Sequence, residues 1–175
     1  MSETKHVPTI IVDTREKTPW IFKKCTKTNG SIVQKLDTGD YTIMGLESQF
    51  IIERKSSAQE LYTCMGKESK RFFNELERLK TFKYRFLFLE FSPNDIYEMP
   101  NIAAKYGHYA MMSPDYIVSK LMEIEFEYGV KIVFIGSMRK AEDKHRIKCF
   151  INHFLYKFYN MYMENRLDAK PSNPS

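Results

Sequence analysis

The order of the predicted elements indicates an α/β fold in which helices flank a central mixed sheet. Short apolar strand patterns come first, and helices and strands then alternate along the rest of the chain. Neither an internal repeat nor a linker marks a second domain, and 175 residues suffice for one domain with a substantial core. We therefore expect a single domain over residues 1–167, followed by a disordered tail over residues 168–175.

The first half of the chain carries four short strand patterns separated by turn signals. β-branched and apolar residues predict strands over residues 7–12, 31–36, 41–44 and 49–54. The turn signals are Lys27-Thr28-Asn29-Gly30, Asp37-Thr38-Gly39 and Gly45. The last two strands are close enough in sequence to form a hairpin through Gly45.

Helices and strands alternate in the second half. Apolar periodicity predicts helices over residues 58–66, 67–80, 115–128 and 139–165. Strand patterns lie among them at residues 84–91 and 130–135. Ser56 or Ser57 can cap the first helix, and Gly129 can close the third. Pro93 and Pro100 bracket a stretch that we expect to be irregular.

The composition excludes several protein classes. The chain carries 27 Lys and Arg against 22 Asp and Glu, and the resulting net charge of +5 mildly favours anionic partners. No apolar run approaches the ~20 residues that span a bilayer, and the polar start has no secretory core. The three cysteines lie far apart without zinc-site spacing, which favours a reducing compartment. We expect an intracellular protein of the cytoplasm, nucleoid or nucleus, with neither a membrane partner nor a nucleotide cofactor.

Two carboxylates and a lysine form the most informative pattern in the chain. Glu53 follows Asp40 by thirteen positions, and Lys55 follows Glu53 by two. A hairpin brings Asp40 beside Glu53, and the period of two puts Glu53 and Lys55 on one face of the second strand. Converging carboxylates repel each other unless a cation lies between them, and an oxygen-rich site suits Mg²⁺. A neighbouring lysine can hold an anionic oxygen or orient a water, so the pattern indicates metal-assisted phosphodiester hydrolysis.

Three segments together resemble a known enzyme family. They are Val12-Asp13-Thr14-Arg15-Glu16, Gly39-Asp40-Tyr41 and Ile52-Glu53-Arg54-Lys55. In this order and spacing they resemble the nuclease domain of the XPF family of structure-specific DNA endonucleases, a branch of the PD-(D/E)XK superfamily. The likeness covers roughly residues 8–135 and includes the segments 71–76 and 86–90. It implies a restriction-endonuclease-like fold.

The resemblance also implies a role for each polar residue of these segments. Asp40 and Glu53 would hold Mg²⁺ or Mn²⁺, and Lys55 would be the catalytic lysine. Asp13 would lie beside them as a further catalytic residue that binds the metal directly or through water. Arg15 and Arg54 would contact the DNA phosphate, because a guanidinium suits bidentate phosphate contact.

Several charged residues support this set without belonging to its core. Glu16 would complete the polar site. The helix over residues 67–80 carries Lys67, Lys70, Arg71, Arg78 and Lys80, which is typical either of a solvated face or of a rail along the DNA backbone. On the second interpretation Lys67 and Arg71 bind phosphate. Glu90 can reach the site or serve the structure.

The chain departs from the family pattern in two places. The family has an acid at the position of Gln59, after three intervening residues, and here Glu60 directly behind it can stand in. We expect no tandem helix-hairpin-helix domain, so substrate choice would depend on this domain, on a partner, or on a homodimer or heterodimer formed through the helices. The aromatic residues of the last helix suit either a dimer surface or the core. Those of residues 106–112 suit either stacking on unpaired bases or packing.

We therefore expect a metal-dependent DNA endonuclease that acts on branched, flap or junction DNA in repair or recombination. Two alternatives stay open. One is a non-catalytic DNA-binding or scaffold subunit of a nuclease complex, which the glutamine at position 59 favours. The other is a sequence-specific restriction-type nuclease with the same chemistry.

Overall fold

A computed structural model describes residues 6–105, 112–138 and 140–167. Its strands are β1 (Ile10–Val12), β2 (Ser31–Val33), β3 (Tyr41–Ile43), β4 (Phe50–Lys55), β5 (Tyr84–Leu89) and β6 (Lys131–Phe134). Its helices are α1 (Ala58–Met65), α2 (Ser69–Leu79), α3 (Pro93–Lys105), α4 (Pro114–Tyr128) and α5 (Ala141–Met163). None of the helices in these ranges combines the length and apolarity needed to cross a bilayer.

The strands form one mixed sheet in the order β2-β1-β3-β4-β5-β6. Strand β3 is antiparallel to both β1 and β4, which makes β3 and β4 the predicted hairpin. Strands β4, β5 and β6 are parallel, and helix pairs make the crossovers that parallel neighbours require. The predicted α/β fold with a central mixed sheet is confirmed.

The helices cover the two faces of the sheet unequally. Ile51 of β4 belongs to a hydrophobic cluster with residues of α1, α2, α3 and α4. Phe50 and Ile52 belong to a second cluster, which includes the inner face of α5. Adjacent strand residues point to opposite faces, so β4 contributes to both cores.

The same alternation separates the charged residues at the end of β4. Lys55 Nζ lies 5.2 Å from the ring centroid of Phe72 in α2, which places Lys55, and with it Glu53, on the α1–α4 side. The Arg54 guanidinium lies 5.3 Å from the ring of Trp20, a member of the α5-side cluster. The carboxyl end of β4 thus delivers two different charged groups to two different environments.

Two helix ends follow the sequence signals. Ser57 caps α1 by accepting a hydrogen bond from the backbone N–H of Glu60 at 3.2 Å. Gly129 ends α4 in the left-handed conformation, with φ of 63°, and its N–H donates to the carbonyl of Ile124. A side chain at this glycine would also collide with the Arg85 guanidinium.

The stretch between Pro93 and Pro100 is helical, so the prediction of an irregular segment is wrong. Pro93 stands at the start of α3, where a missing N–H breaks no helical hydrogen bond. Asp95 accepts hydrogen bonds from the backbone N–H and the hydroxyl of Ser92, each at 2.7 Å. These contacts begin a helix that the sequence pattern missed.

Pro100 lies inside α3 because another element satisfies the carbonyl that it leaves open. A proline cannot donate to the carbonyl four positions earlier, which here belongs to Ile96. The Tyr62 hydroxyl of α1 donates to that carbonyl at 3.0 Å. This tertiary contact is invisible to a local reading of the sequence.

Among the described helices, α5 is the one that contributes buried residues to the second cluster and covers that face of the sheet. Phe158 packs against Phe50 with ring centroids 4.4 Å apart, and Phe154 lies 5.1 Å from both Phe86 and Phe88. These aromatics therefore belong to the core, while Phe150 is about half exposed. Residues 106–111, with most of the predicted aromatic loop, and the predicted tail 168–175 lie outside the described residues.

Candidate active site

A cleft of about 640 Å³ opens beside the carboxyl end of β4. The start of β3 meets this end because the two strands are antiparallel, and α2 borders the cleft with one face. Its lining residues are Arg15, Glu16, Lys17, Thr18, Gly39, Asp40, Glu53, Arg54, Lys55, Ser56, Glu60, Arg71, Glu75 and Arg78. The cleft thus contains most of the residues that the sequence singled out.

Backbone hydrogen bonds fix Asp40 against β4. Its N–H donates to the carbonyl of Ile52 at 2.9 Å, and its carboxylate accepts from the N–H of Arg54 at 2.7 Å. The preceding Gly39 has φ of 73°, and a side chain there would collide with that of Ile51. Glycine is therefore required for Asp40 to reach the carboxyl end of the strand.

Glu53 and Lys55 form a buried ion pair that satisfies only half of the glutamate. Lys55 Nζ lies 2.6 Å from Glu53 Oε1. Both side chains are less than 8% exposed. The second oxygen, Glu53 Oε2, is buried and has no hydrogen-bond partner among the described residues. An unpaired buried carboxylate oxygen is energetically unfavourable unless a donor or a cation can reach it.

The electrostatics of the three groups are coupled. Burial raises the pKa of Asp40, and the nearby charge of Glu53 raises it further. Burial also raises the pKa of Glu53, and the attraction of Lys55 compensates only in part. Burial is the largest single effect on Lys55 and lowers its pKa, but the charge and hydrogen bond of Glu53 together with other neighbouring groups outweigh it, and the pKa is raised. The two carboxylates disfavour joint ionisation, which a divalent cation would relieve.

These residues fit a hard divalent cation. Asp40 and Glu53 offer carboxylate oxygens, and Glu53 Oε2 is the oxygen that lacks a partner. No group of three or more His, Cys, Asp or Glu side chains in the described ranges is arranged to hold a metal ion. Mg²⁺ is nevertheless often held by one or two carboxylates, with waters and substrate phosphate completing its coordination.

Asp13 does not line the cleft and is committed to other partners. Its carboxylate accepts hydrogen bonds from the side chain of Arg15 at 2.6 Å and from the Arg15 N–H at 3.2 Å. Burial opposes ionisation of Asp13, but these bonds and one from the Leu36 N–H prevail, and its pKa is lowered. Asp13 thus holds Arg15 in place, and its role as a metal ligand stays a prediction.

Arg15 presents a half-anchored guanidinium to the cleft. It is ion-paired with Asp13 and donates to the carbonyl of Leu36 at 2.9 Å, yet its side chain is 59% exposed. Lys17 lines the cleft close by in sequence. This arrangement suits phosphate contact, because the guanidinium is oriented and still accessible.

Arg54 lines the cleft but is engaged by other groups of the protein. Its guanidinium donates to Glu16 at 2.8 Å, to Glu90 at 2.7 Å and to the carbonyl of Thr18 at 2.9 Å. Only 6% of its side chain is exposed, and the strand period of two turns it away from Glu53 and Lys55. Its contact with the DNA phosphate stays a prediction.

Glu16 and Glu90 complete the network around Arg54. Glu16 accepts a hydrogen bond from the Tyr41 hydroxyl at 2.9 Å, and Glu90 accepts one from Trp20 Nε1 at 3.1 Å. The network ties the loop after β1 to β3, β4 and β5. The predicted supporting role of Glu16 agrees with this position, and Glu90 serves the structure.

One face of α2 borders the cleft. Arg71, Glu75 and Arg78 line it at positions i, i+4 and i+7, a spacing that puts them on one side of a helix. Arg71 is 75% exposed and also pairs with Glu68 at 2.6 Å. Lys67 precedes the helix and is not among the lining residues.

Glu75 is an acidic lining residue to which the sequence patterns gave no role. The apolar stripe of α2, formed by Phe72, Leu76 and Leu79, is buried. Glu75 lies on the flank of this stripe, on the same side of the helix as the two arginines. The helical periodicity was the signal that could have placed Glu75 there, and its position in the cleft makes it a candidate site residue.

Glu60 and Gln59 point into different cavities. Glu60 lines the cleft, with one carboxylate oxygen 3.9 Å from Lys55 Nζ. The other oxygen accepts hydrogen bonds from the N–H and the hydroxyl of Ser56, each at 2.8 Å. Gln59 lines a second, neighbouring cavity. The acidic side chain beside Lys55 is therefore that of Glu60, one position later than the family pattern expects.

Comparison with known families now identifies the fold and its relatives. A model described as the ERCC4 domain matches residues 12–143. The chain belongs to the ERCC4 domain family. This confirms the resemblance to an XPF-type nuclease domain, and the matched range runs from the last residue of β1 through β6 and includes the cleft residues named above.

Solved structures of the same kind share the ERCC4 fold seen here. XPF from Aeropyrum pernix superimposes with a TM-score of 0.58 at 16% identity, covering 96% of this chain and 69% of that one. The same protein in complex with DNA gives a TM-score of 0.56 at 16% identity, with coverages of 93% and 68%. No curated protein matches the chain in sequence. At this identity the likeness establishes the fold, and the chemistry has to be argued from the residues.

Proposed function

We propose that this ERCC4 domain is a Mg²⁺- or Mn²⁺-dependent DNA endonuclease that cleaves branched, flap or junction DNA in repair or recombination. One observation carries the proposal. Glu53 Oε2 is a buried carboxylate oxygen without a partner in the described part of the chain, and it lies in a cleft that also contains Asp40 and Lys55. Burying these charged groups would destabilise the fold if they served only a structural purpose. The same groups suit a cation bound together with a phosphate.

Asp40 and Glu53 would hold the metal ion. When bound, the ion would lower the pKa of a water and stabilise negative charge on the scissile phosphate. Asp40 is well suited to its part because the N–H of Arg54 already orients its carboxylate at 2.7 Å. Glu60 and Glu75 add negative charge to the same cleft and favour a cation there.

Lys55 would neutralise charge that develops on the phosphate or orient the attacking water. Its Nζ is held 2.6 Å from Glu53, and the raised pKa keeps it protonated at neutral pH. A fixed ammonium in a largely buried site stabilises a developing oxyanion more strongly than it would in water.

The DNA backbone would follow the basic rim of the cleft. Arg15, Arg71 and Arg78 line it from two sides, on the loop after β1 and on α2. Exposed cations of this kind bind phosphates without reading sequence and make affinity depend on salt. The XPF structure solved in complex with DNA supports DNA as the partner of this fold. Dimerisation through the helices would extend the DNA-binding surface.

Cleavage assays test the proposal directly. Labelled duplex, flap, fork and single-stranded DNA are incubated with Mg²⁺, with Mn²⁺ or with EDTA, for wild type and for Asp40→Asn. The matched control is Asp37→Asn, which removes the same charge at an exposed position three residues earlier. We expect metal-dependent cutting of the branched substrates by wild type and control, and none by Asp40→Asn.

Other outcomes separate the alternatives. Cutting that survives EDTA, or that is unchanged in Asp40→Asn, contradicts the proposal. Salt-sensitive binding of all four DNAs without cutting indicates a non-catalytic DNA-binding or scaffold subunit, for which the glutamine at position 59 is the favouring feature. Cleavage of linear duplex at fixed sequences indicates a restriction-type nuclease.

A further inference from the structure

A second cavity of about 270 Å³ lies directly beside the cleft. Ser56, the residue after the proposed catalytic Lys55, lines both. The walls of the second cavity come from the start of α1, the segment after β5, helix α3 and the loop before α5. Because adjacent Cα atoms are about 3.8 Å apart, a group in this cavity would be a close neighbour of one held by Lys55.

The lining of this cavity favours a flat, uncharged ring. Phe91 and Met99 provide buried apolar surface, and Ile102 stands partly exposed in the wall. Glu90 and Asp95 contribute carboxylates, whereas none of the described lining residues is a lysine or arginine. Arg54 neutralises the charge of Glu90, so the negative charge of the lining comes from Asp95 and disfavours a phosphate. A carboxylate can accept hydrogen bonds from the amino groups of a heterocycle.

Gln59 supplies a polar group that is not otherwise engaged. Gln59 is exposed and lines the cavity, and its side-chain amide makes no hydrogen bond with the part of the chain that the structure describes. An amide carries both a donor and an acceptor, so it can pair with the edge of any base. The acid that the family pattern expects at this position would lack the donor.

The geometry points to a binding site for one unpaired nucleobase of the DNA, and we propose that Gln59 contacts its edge. The inference rests on the proposed nuclease function, because it assumes that the phosphate of the same strand lies in the cleft. A volume below the ~300 Å³ of typical ligand pockets suits a single base better than a whole nucleotide. Unpaired bases enter such a pocket at least cost, so this site would favour junctions over duplex.

Fluorescent base substitution tests the proposal. Flap DNA carrying a single 2-aminopurine, placed in turn at each nucleotide around the branch, is bound by the full chain in EDTA. We expect the fluorescence to rise at one position only, where the base leaves the stack. Gln59→Ala should weaken binding of the flap about five-fold, the effect of losing one neutral hydrogen bond.

Two further variants keep the test decisive. Ile102→Trp places a large ring in the wall of the cavity and should abolish the fluorescence rise, whether or not the amide at position 59 is present. Gln49→Ala, at the opposite end of β4, should behave as wild type. The proposal is overturned when no position responds, or when Gln59→Ala and Ile102→Trp bind and fluoresce like wild type.

Cleavage of unlabelled flap DNA in Mg²⁺, measured alongside, separates the two proposals. Cleavage without a fluorescence rise at any position would support the nuclease function and contradict the base-binding site. A base response that the two variants remove, in a chain that does not cut, supports the base site and removes the nuclease function.

Discussion

The charged residues on the two faces of β4 differ in how completely their polar atoms are paired. On the α5 side, Arg54 is enclosed by Glu16 and Glu90, and its donors are engaged. On the α1–α4 side, one oxygen of Glu53 pairs with Lys55, and the other has no partner among the residues that the structure describes. Burial of charge is common to both faces, so it does not by itself mark a site. The completed network holds the fold together, whereas the incomplete one can accept a ligand.

The largest effect is expected on the completed side. Arg54→Met should lower the free energy of unfolding by about 3 kcal/mol, because it leaves the largely buried carboxylates of Glu16 and Glu90 without their cation. Urea denaturation measures this, and Arg71→Met, which removes an exposed arginine, should change stability by less than about 0.5 kcal/mol. Equal losses in both variants would mean that the network does not hold the fold.

On the incomplete side, Lys55→Met should affect chemistry rather than DNA affinity. We expect the cleavage rate of bound flap DNA to fall about 10²–10³-fold, since a charge that stabilises the transition state is lost. Single-turnover cleavage measures the rate, and thermal unfolding checks that the variant is folded. Lys70→Met, on α2 but outside the cleft lining, is the matched control. A change in binding alone would remove Lys55 from the chemistry.

Asp40→Asn should stabilise the protein in EDTA by about 1 kcal/mol at neutral pH, a typical gain when a strained functional residue is relieved. The unfolded carboxyl loses its proton near pH 4, whereas folded Asp40 keeps it to higher pH, so wild-type stability falls as pH rises above about 4. The gain should therefore shrink below pH 4. Urea unfolding from pH 3 to pH 8 measures it, and a variant less stable than wild type at pH 7 would contradict the strain.

An effect of similar size concerns Glu60. If its carboxylate serves in place of the family acid, Glu60→Gln should weaken Mn²⁺ binding about 10-fold, the lower end of the effect of residues that surround a metal site. Titration calorimetry without DNA measures this. Gln59→Glu in the Glu60→Gln background should not restore affinity, since position 59 faces the second cavity. Restoration would show that the acid can act from either position.

Local rules were sufficient for the hairpin and its carboxylates. The spacing from Asp40 to Glu53 allows only short strands and a bend, and β3 and β4 have that form. The period of two correctly placed Glu53 and Lys55 on one face. The same rule, applied to Arg54, would have predicted its burial on the opposite face. The resemblance assigned it to the phosphate instead.

What the sequence could not predict depends on contacts between distant segments. Helix α3 continues through Pro100 because Tyr62 bonds the carbonyl of Ile96, which is 34 positions away from it in sequence. The hydrogen bond that Asp13 accepts from the Leu36 N–H likewise joins two loops that are 23 positions apart in sequence. Periodicity and motif spacing carry no information about such pairings.

Helix α1 separates the cleft from the second cavity. The consecutive residues Gln59 and Glu60 line different cavities, because each residue of a helix is rotated by about 100° from the one before it. Tyr62 of the same helix donates a hydrogen bond to α3, which forms another wall of the second cavity. The fixed rotation per residue of α1 would therefore set the distance between the phosphate and the base of the proposed substrate.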